Sequence, residues 1–195
     1  MTIQHKSTYL ALGDSYTIGE GVEKEYSWPF MLAKALGWAA PEVIATTGWK
    51  TYELIEAAEA ASLKPSYDWV SLLIGVNNQY RQIPFQVLQD DLHRLGTLML
   101  SRVRKPGQIF LVSIPDYSVT PFVEEKDRAR IAGELLAYND YLKEYALKKG
   151  FQFCYITDIS QKAGEDTGLI VEDKLHPSAR QYQMWVNRII QSCDF

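Results

Sequence analysis

Short runs of branched, aromatic and leucine residues recur along the chain at 8–12, 43–47, 69–74, 109–114 and 151–157. They are nearly continuous rather than alternating, as expected of strands covered on both faces of a sheet. Amphipathic stretches lie between them. Ile131, Leu135, Tyr138, Leu142 and Tyr145 follow one another at intervals of four, three, four and three, with Glu134, Asp140, Lys143 and Glu144 on the other side of the same helix. Leu88, Leu92, Leu95, Met99 and Val103 repeat that spacing, as do Tyr182, Trp185, Ile189 and their neighbours, and weaker helical patterns cover 28–36 and 51–61. Strands joined by helix-length connections make right-handed crossovers, hence a parallel sheet with helices on both faces. The predicted fold class is α/β: a three-layer α/β/α sandwich of the flavodoxin-like kind on a parallel sheet of about five strands. Residues 1–7 read as a tail and 8–195 as a single domain, since no repeat, low-complexity tract or Pro/Gly linker divides them. Segments 115–126 and 158–177 read as loops of functional length.

Composition narrows the class of partner. Lys and Arg number 20 against 24 Asp and Glu, a net charge of −4, so there is no basic excess with which to bind a nucleic-acid backbone. Nor is there an apolar run near the ~20 residues that a membrane span needs. The first seven residues are polar, so the expectation is a cytoplasmic chain, and an exported chain stripped of a signal peptide would read the same. Cys154 and Cys193 make no metal-type C-x-x-C pair and read as buried or free thiols. One bridge is the most that two can form, which excludes a disulfide scaffold. Oligomeric state is not legible, because an apolar surface patch and a core face look alike in sequence.

In a parallel sheet, ligands bind beyond the carboxyl ends of the strands near the switch in strand order. Four short motifs fall there. After the first strand comes Gly13-Asp14-Ser15-Tyr16-Thr17, with a serine at a strand-to-helix turn. Read alone, Ser15 is better explained as a helix cap than as a nucleophile. Near the other end, Asp173-Lys174-Leu175-His176-Pro177-Ser178 precedes the last helical stretch. His5 lies in the tail and His93 on a helix, which leaves His176 as the histidine in a loop flanking a helix start. A serine hydroxyl needs a base to take its proton, an imidazole suits that role near neutrality, and Asp173 is placed to hold the ring. Thr47-Gly48-Trp49 and Gly75-Val76-Asn77-Asn78 end the second and third strands. They offer a glycine amide and a carboxamide for an oxyanion, although each taken singly reads as an ordinary turn. No third ligand completes a metal site.

Together these motifs, GDSYT, a glycine after the second strand, GVN after the third and DKLHPS before the last helix, resemble the GDSL or SGNH hydrolase family. The resemblance spans nearly the whole chain. It implies a lipase-like carboxylic ester hydrolase with Ser15 as nucleophile, Asp173 and His176 completing a catalytic triad, and Ser15, Gly48 and Asn77 donating to an oxyanion hole. It requires neither metal nor organic cofactor. Two positions depart from the pattern: Asn78 stands where the family often has Asp, and Tyr16 takes the fourth letter of GDSL. Other motifs fail, since the G-x-S-x-G elbow lacks its second glycine and the dinucleotide and Walker patterns are incomplete.

The expected substrate is a small-molecule ester with a small or single acyl chain. Lysophospholipase, thioesterase and carbohydrate acetylesterase chemistry are open variants of the same mechanism. Tyr16, Trp49, Tyr80 and Arg81 adjoin the motifs and form the expected substrate pocket, with Asp116-Tyr117 and Pro121-Phe122 as a wall. The rival reading is a non-catalytic flavodoxin-like binding domain in which Ser15 and Asn77 merely cap helices.

Overall fold

The computed structural model describes residues 6–195, so residues 1–5 of the predicted tail, His5 among them, lie outside the described residues. Five parallel strands, β1 (Tyr9–Gly13), β2 (Glu42–Ala45), β3 (Trp69–Leu73), β4 (Ile109–Val112) and β5 (Gln152–Cys154), run in the order β2-β1-β3-β4-β5. Eight α-helices accompany them among the described residues: α1 (Ser15–Ile18), α2 (Trp28–Ala35), α3 (Thr51–Ala60), α4 (Val76–Tyr80), α5 (Phe85–Leu100), α6 (Glu125–Lys149), α7 (Thr157–Ser160) and α8 (Ala179–Ser192). The three central strands are buried between helical layers as their continuous apolar runs require, with Leu10, Leu12, Leu72, Phe110 and Leu111 all withdrawn from solvent, while the edge strands β2 and β5 are partly exposed. Helix α2 packs on α8, and α3 packs on α5. The fold is the expected three-layer α/β/α sandwich. No helix among the described residues is long and apolar enough to cross a membrane.

Helix α8 shows how the period becomes burial. Tyr182, Trp185, Val186 and Ile189 share its inner face and are fully buried. Truncating Trp185 to alanine would cost roughly 3–5 kcal/mol. Register places the chemistry: Gly13 pairs with Ala45 on one side and Leu73 on the other, so the segments leaving β1, β2 and β3 emerge side by side. The sheet order reverses there, with β1 between β2 and β3, which is the switch point where a ligand crevice forms.

Of the predicted strands β2 ends at Ala45 and β3 at Leu73, short of the expected 47 and 74, and two more, β4 and β5, are cut short by side chains that take over their ladder bonds. Asn139 of α6 accepts from the Ile114 amide at 2.7 Å and donates to its carbonyl at 2.9 Å, and β4 has already stopped at Val112. Ser113 Oγ accepts from the amides of Ile156 and Thr157, drawing the chain out of β5 and into α7 from within the stretch expected to be extended. The loop expected at 158–177 therefore begins inside α7. It also carries short 3₁₀ turns and a bridge between Ile170 and Pro177.

Candidate active site

The turn after β1 is set by close packing. A Cβ on Gly13 would lie 2.1 Å from Thr17 Oγ1 and 2.5 Å from the Leu73 carbonyl oxygen, so the chain turns into α1 only with glycine there. Asp14 caps that helix, its Oδ1 accepting from the Tyr16 amide at 3.0 Å. The Asp14 side chain is fully buried, Oδ2 has no hydrogen-bond partner among the described residues, and burial pushes the carboxyl up to about 7. Ser15 follows as the first residue of the helix.

His176 meets Ser15 across 161 residues of chain, with Nε2 2.9 Å from Ser15 Oγ. Its Nδ1 lies 2.6 Å from Asp173 Oδ2. An ionised carboxylate only accepts, so the ring proton sits on Nδ1 and leaves Nε2 as an acceptor facing the serine hydroxyl. Asp173 is itself pinned, Oδ1 receiving the amides of Leu175 at 2.8 Å and His176 at 2.9 Å. Lys174 adopts φ +66° between them, a left-handed conformation rare outside glycine that folds the turn back onto the carboxylate. Partial burial opposes ionisation of Asp173, but the bonds from His176 and the two amides outweigh it and hold the carboxyl below its usual range. The Tyr16 ring packs 5.4 Å from the imidazole and 6.3 Å from Trp185, supporting the histidine from the core. Burial pushes the Tyr16 phenol well above its ordinary value, so it stays neutral.

Gly48 takes φ +84°, and a Cβ added there would touch nothing within 4 Å. Backbone conformation, not crowding, calls for glycine at this position. Asn77, on α4, donates from Nδ2 to the Trp49 carbonyl oxygen at 3.0 Å. Helix α4 was not expected from the period, being only a single short turn after β3. Asn78 is buried: its Oδ1 accepts from the Thr51 amide at 3.0 Å, its Nδ2 donates to Thr51 Oγ1 at 2.8 Å, and Thr51 Oγ1 donates to Asp91 Oδ2 at 2.5 Å. The acid that the family often carries at position 78 thus has a counterpart in Asp91, one hydroxyl away.

A cavity of about 160 Å³ opens over Ser15 and His176, with Gly48 and Asn77 in its lining and Tyr16, Thr47, Val76, Tyr80, Tyr117, Phe122 and Leu175 completing it. Of the four residues expected to form the pocket, Tyr16 and Tyr80 line this cavity, whereas Trp49 and Arg81 do not. The Trp49 ring is half-buried against the core and only its carbonyl meets the site, through Asn77. Arg81 lines a neighbouring cleft instead, with its guanidinium 5.3 Å from the Tyr80 ring centroid, a cation–π contact. Of the expected wall after β4, Tyr117 and Phe122 line the cavity, whereas Pro121 does not and Asp116 turns away to accept from the Ser118 amide and Gln161 Nε2. Thr47, Val76 and Leu175 are additions, and their one signal in sequence is adjacency to Gly48, Asn77 and His176.

A parallel α/β/α sandwich with hydroxyl, imidazole and carboxylate in line at the carboxyl edge of its sheet is an architecture of ester hydrolases. The chain belongs to the GDSL-like lipase/acylhydrolase family, whose pattern matches residues 11–184, and is a GDSL-type ester hydrolase. The non-catalytic alternative is thereby set aside. Solved structures agree in fold. A lipolytic protein of the G-D-S-L family from Veillonella parvula DSM 2008 superposes with a TM-score of 0.77 at 14% identity, covering 94% of this chain and 96% of that one. TesA superposes at 0.73 and 16% identity, covering 95% and 97%. Axe2, an acetylxylan esterase from Geobacillus stearothermophilus, superposes at 0.68 and 18% identity, covering 100% and 97%. Among curated protein sequences none matches the chain.

Proposed function

We propose that the protein cleaves carboxylic esters through an acyl-enzyme on Ser15. His176 Nε2 takes the hydroxyl proton as Oγ bonds to the ester carbonyl carbon, and the carbonyl oxygen becomes an oxyanion held by the amides of Ser15 and Gly48 and the Asn77 carboxamide. Collapse breaks the bond to the alcohol oxygen, which receives the proton from His176. Water then attacks the acyl-enzyme by the same route, losing its proton to His176 and releasing the acid and free Ser15. Asp173 keeps the ring in the productive tautomer and stabilises its cationic form.

The observation that carries this reading is the unbroken line from Ser15 Oγ through His176 to Asp173, with both contacts at hydrogen-bond length. The test is a fluorophosphonate probe with p-nitrophenyl ester hydrolysis, run on the wild-type chain and on Ser15→Ala. Labelling and hydrolysis that both vanish in the variant support the reading, and labelling that persists there overturns it. The lining of the cavity favours small or single-chain acyl esters over bulky ones.

A further inference from the structure

The cavity over Ser15 does not end in solid protein. A second cleft of about 420 Å³ lies behind it, and the two share Tyr80, Tyr117 and Phe122 as a partition. Taking Ser15 as the nucleophile, we propose that the paired rings of Tyr80 and Phe122 select the acyl group by size, restricting the enzyme to esters of short-chain acids.

Volume gives the limit. An apolar cavity of about 150 Å³ takes up a molecule the size of benzene, so 160 Å³ holds roughly six heavy atoms. Acetyl and butyryl groups fit within it, and a decanoyl group must extend beyond it, against the rings of Tyr80 and Phe122. Direction assigns the space to the acyl part. At the tetrahedral centre the oxyanion faces Gly48 and Asn77, and the departing oxygen must face His176 Nε2 to be protonated, which leaves the remaining direction to the acyl chain. Tyr80 follows Asn77 by three residues on α4, so the two share a helix side and the partition stands beside the oxyanion donor. Val76 and Leu175 add alkyl surface to the same space.

The partition has a fixed member and two adjustable ones. Tyr117 is buried, its hydroxyl donating to Gln79 Oε1 at 2.7 Å, and Gln79 Nε2 donates in turn to Glu134 Oε2 at 2.6 Å. Tyr80 and Phe122 are 46% and 44% exposed and meet ring to ring, with centroids 6.0 Å apart. Behind them the cleft is polar, with Gln82, Glu124 and Arg130 in its lining. A long alkyl chain pressing past the rings would trade their apolar contact for a lining in which only Val123 and Ile131 are aliphatic, so polarity reinforces the steric limit.

The experiment measures kcat/KM for p-nitrophenyl esters from acetate to decanoate, below micelle-forming concentrations. The proteins are the wild-type chain, Tyr80→Phe, Tyr80→Ala, Tyr80→Ala combined with Phe122→Ala, and Ser15→Ala as the control for the nucleophile, with fluorophosphonate labelling of each. In the wild type, kcat/KM falls about 10-fold or more between hexanoate and decanoate. In the double variant the decanoate-to-acetate ratio rises about 10-fold, while Tyr80→Phe, which keeps its ring, retains the wild-type ratio. A wild type that prefers decanoate to butyrate, or a double variant with an unchanged ratio, overturns the selector. Should labelling survive Ser15→Ala, the nucleophile assignment itself has failed. Should it vanish there while the ratio stays fixed, only the size selection has.

Discussion

Asn77 Nδ2 and the Trp49 carbonyl oxygen, 3.0 Å apart, tie the segment after β2 to the helix after β3. A carboxamide has two N–H bonds, so one fixes the side chain and the other is left for a substrate oxygen. In the proposed mechanism the donor is in place before substrate arrives, which is the condition for oxyanion stabilisation without reorganisation. Asn77→Ala is expected to lower kcat by about 10²- to 10³-fold with labelling of Ser15 retained. An Asn77→Ala enzyme altered only in KM would contradict the assignment.

Asp173 sets the tautomer of His176. In Asp173→Asn the carboxamide can present N–H to Nδ1, and the ring proton moves to Nε2, where it faces Ser15 as a donor. The expected loss in kcat is about 10³- to 10⁴-fold at neutral pH. A variant within 10-fold of wild type would show that the ring is oriented by other means. Because the Asp173 carboxyl is held below its usual value in the fold, its contribution to stability is present above the ordinary carboxylate range and is lost as pH falls through the folded value.

Asp14 has the opposite sign. Its carboxyl is raised to about 7 by burial, so the folded protein binds a proton there that the unfolded chain has already released above ~4. Stability from this group is full below the unfolded value and declines as pH rises towards 7. Asparagine caps a helix as well as aspartate and carries no charge. Asp14→Asn is therefore expected to flatten the loss of stability between pH 4 and 8 by on the order of a few kcal/mol, measured as urea midpoints across that range. Parallel pH profiles for the two proteins would show that Asp14 does not titrate as described.

Thr51 Oγ1 has one proton, donated to Asp91, and accepts from Asn78. Asn78→Asp, which restores the residue the family often has, would face that hydroxyl with two carboxylates and a single proton. Destabilisation of about 1–3 kcal/mol is expected. Combining it with Asp91→Asn reverses the direction of each bond, with Thr51 donating to position 78 and accepting from position 91. The double variant should recover most of the loss, giving a coupling of about 1 kcal/mol or more in a denaturation cycle. Additive effects would show that the three side chains do not act as one network.

Much of the architecture was legible in the chain because burial leaves a period. The intervals from Ile131 to Tyr145 and from Tyr182 to Ile189 mark helix faces, and the run at 109–114 marks a strand covered on both sides. Two of the points where that reading overran, at the ends of β4 and β5, are those where Asn139 and Ser113 replace main-chain partners. Such bonds form between residues distant in sequence and have no local pattern.

The amino-acid order by itself determined the α/β class, the longer helices and the places of the five strands, and the residue types offered at the strand ends, since each depends on local spacing and side-chain chemistry. Tertiary structure alone decided that His176 reaches Ser15, that Trp49 serves through its carbonyl while its ring joins the core, that Arg81 leaves the cavity, and that Tyr80, Tyr117 and Phe122 stand together as its wall. Distances between segments follow from strand order and register, and those are settled by packing the whole chain at once.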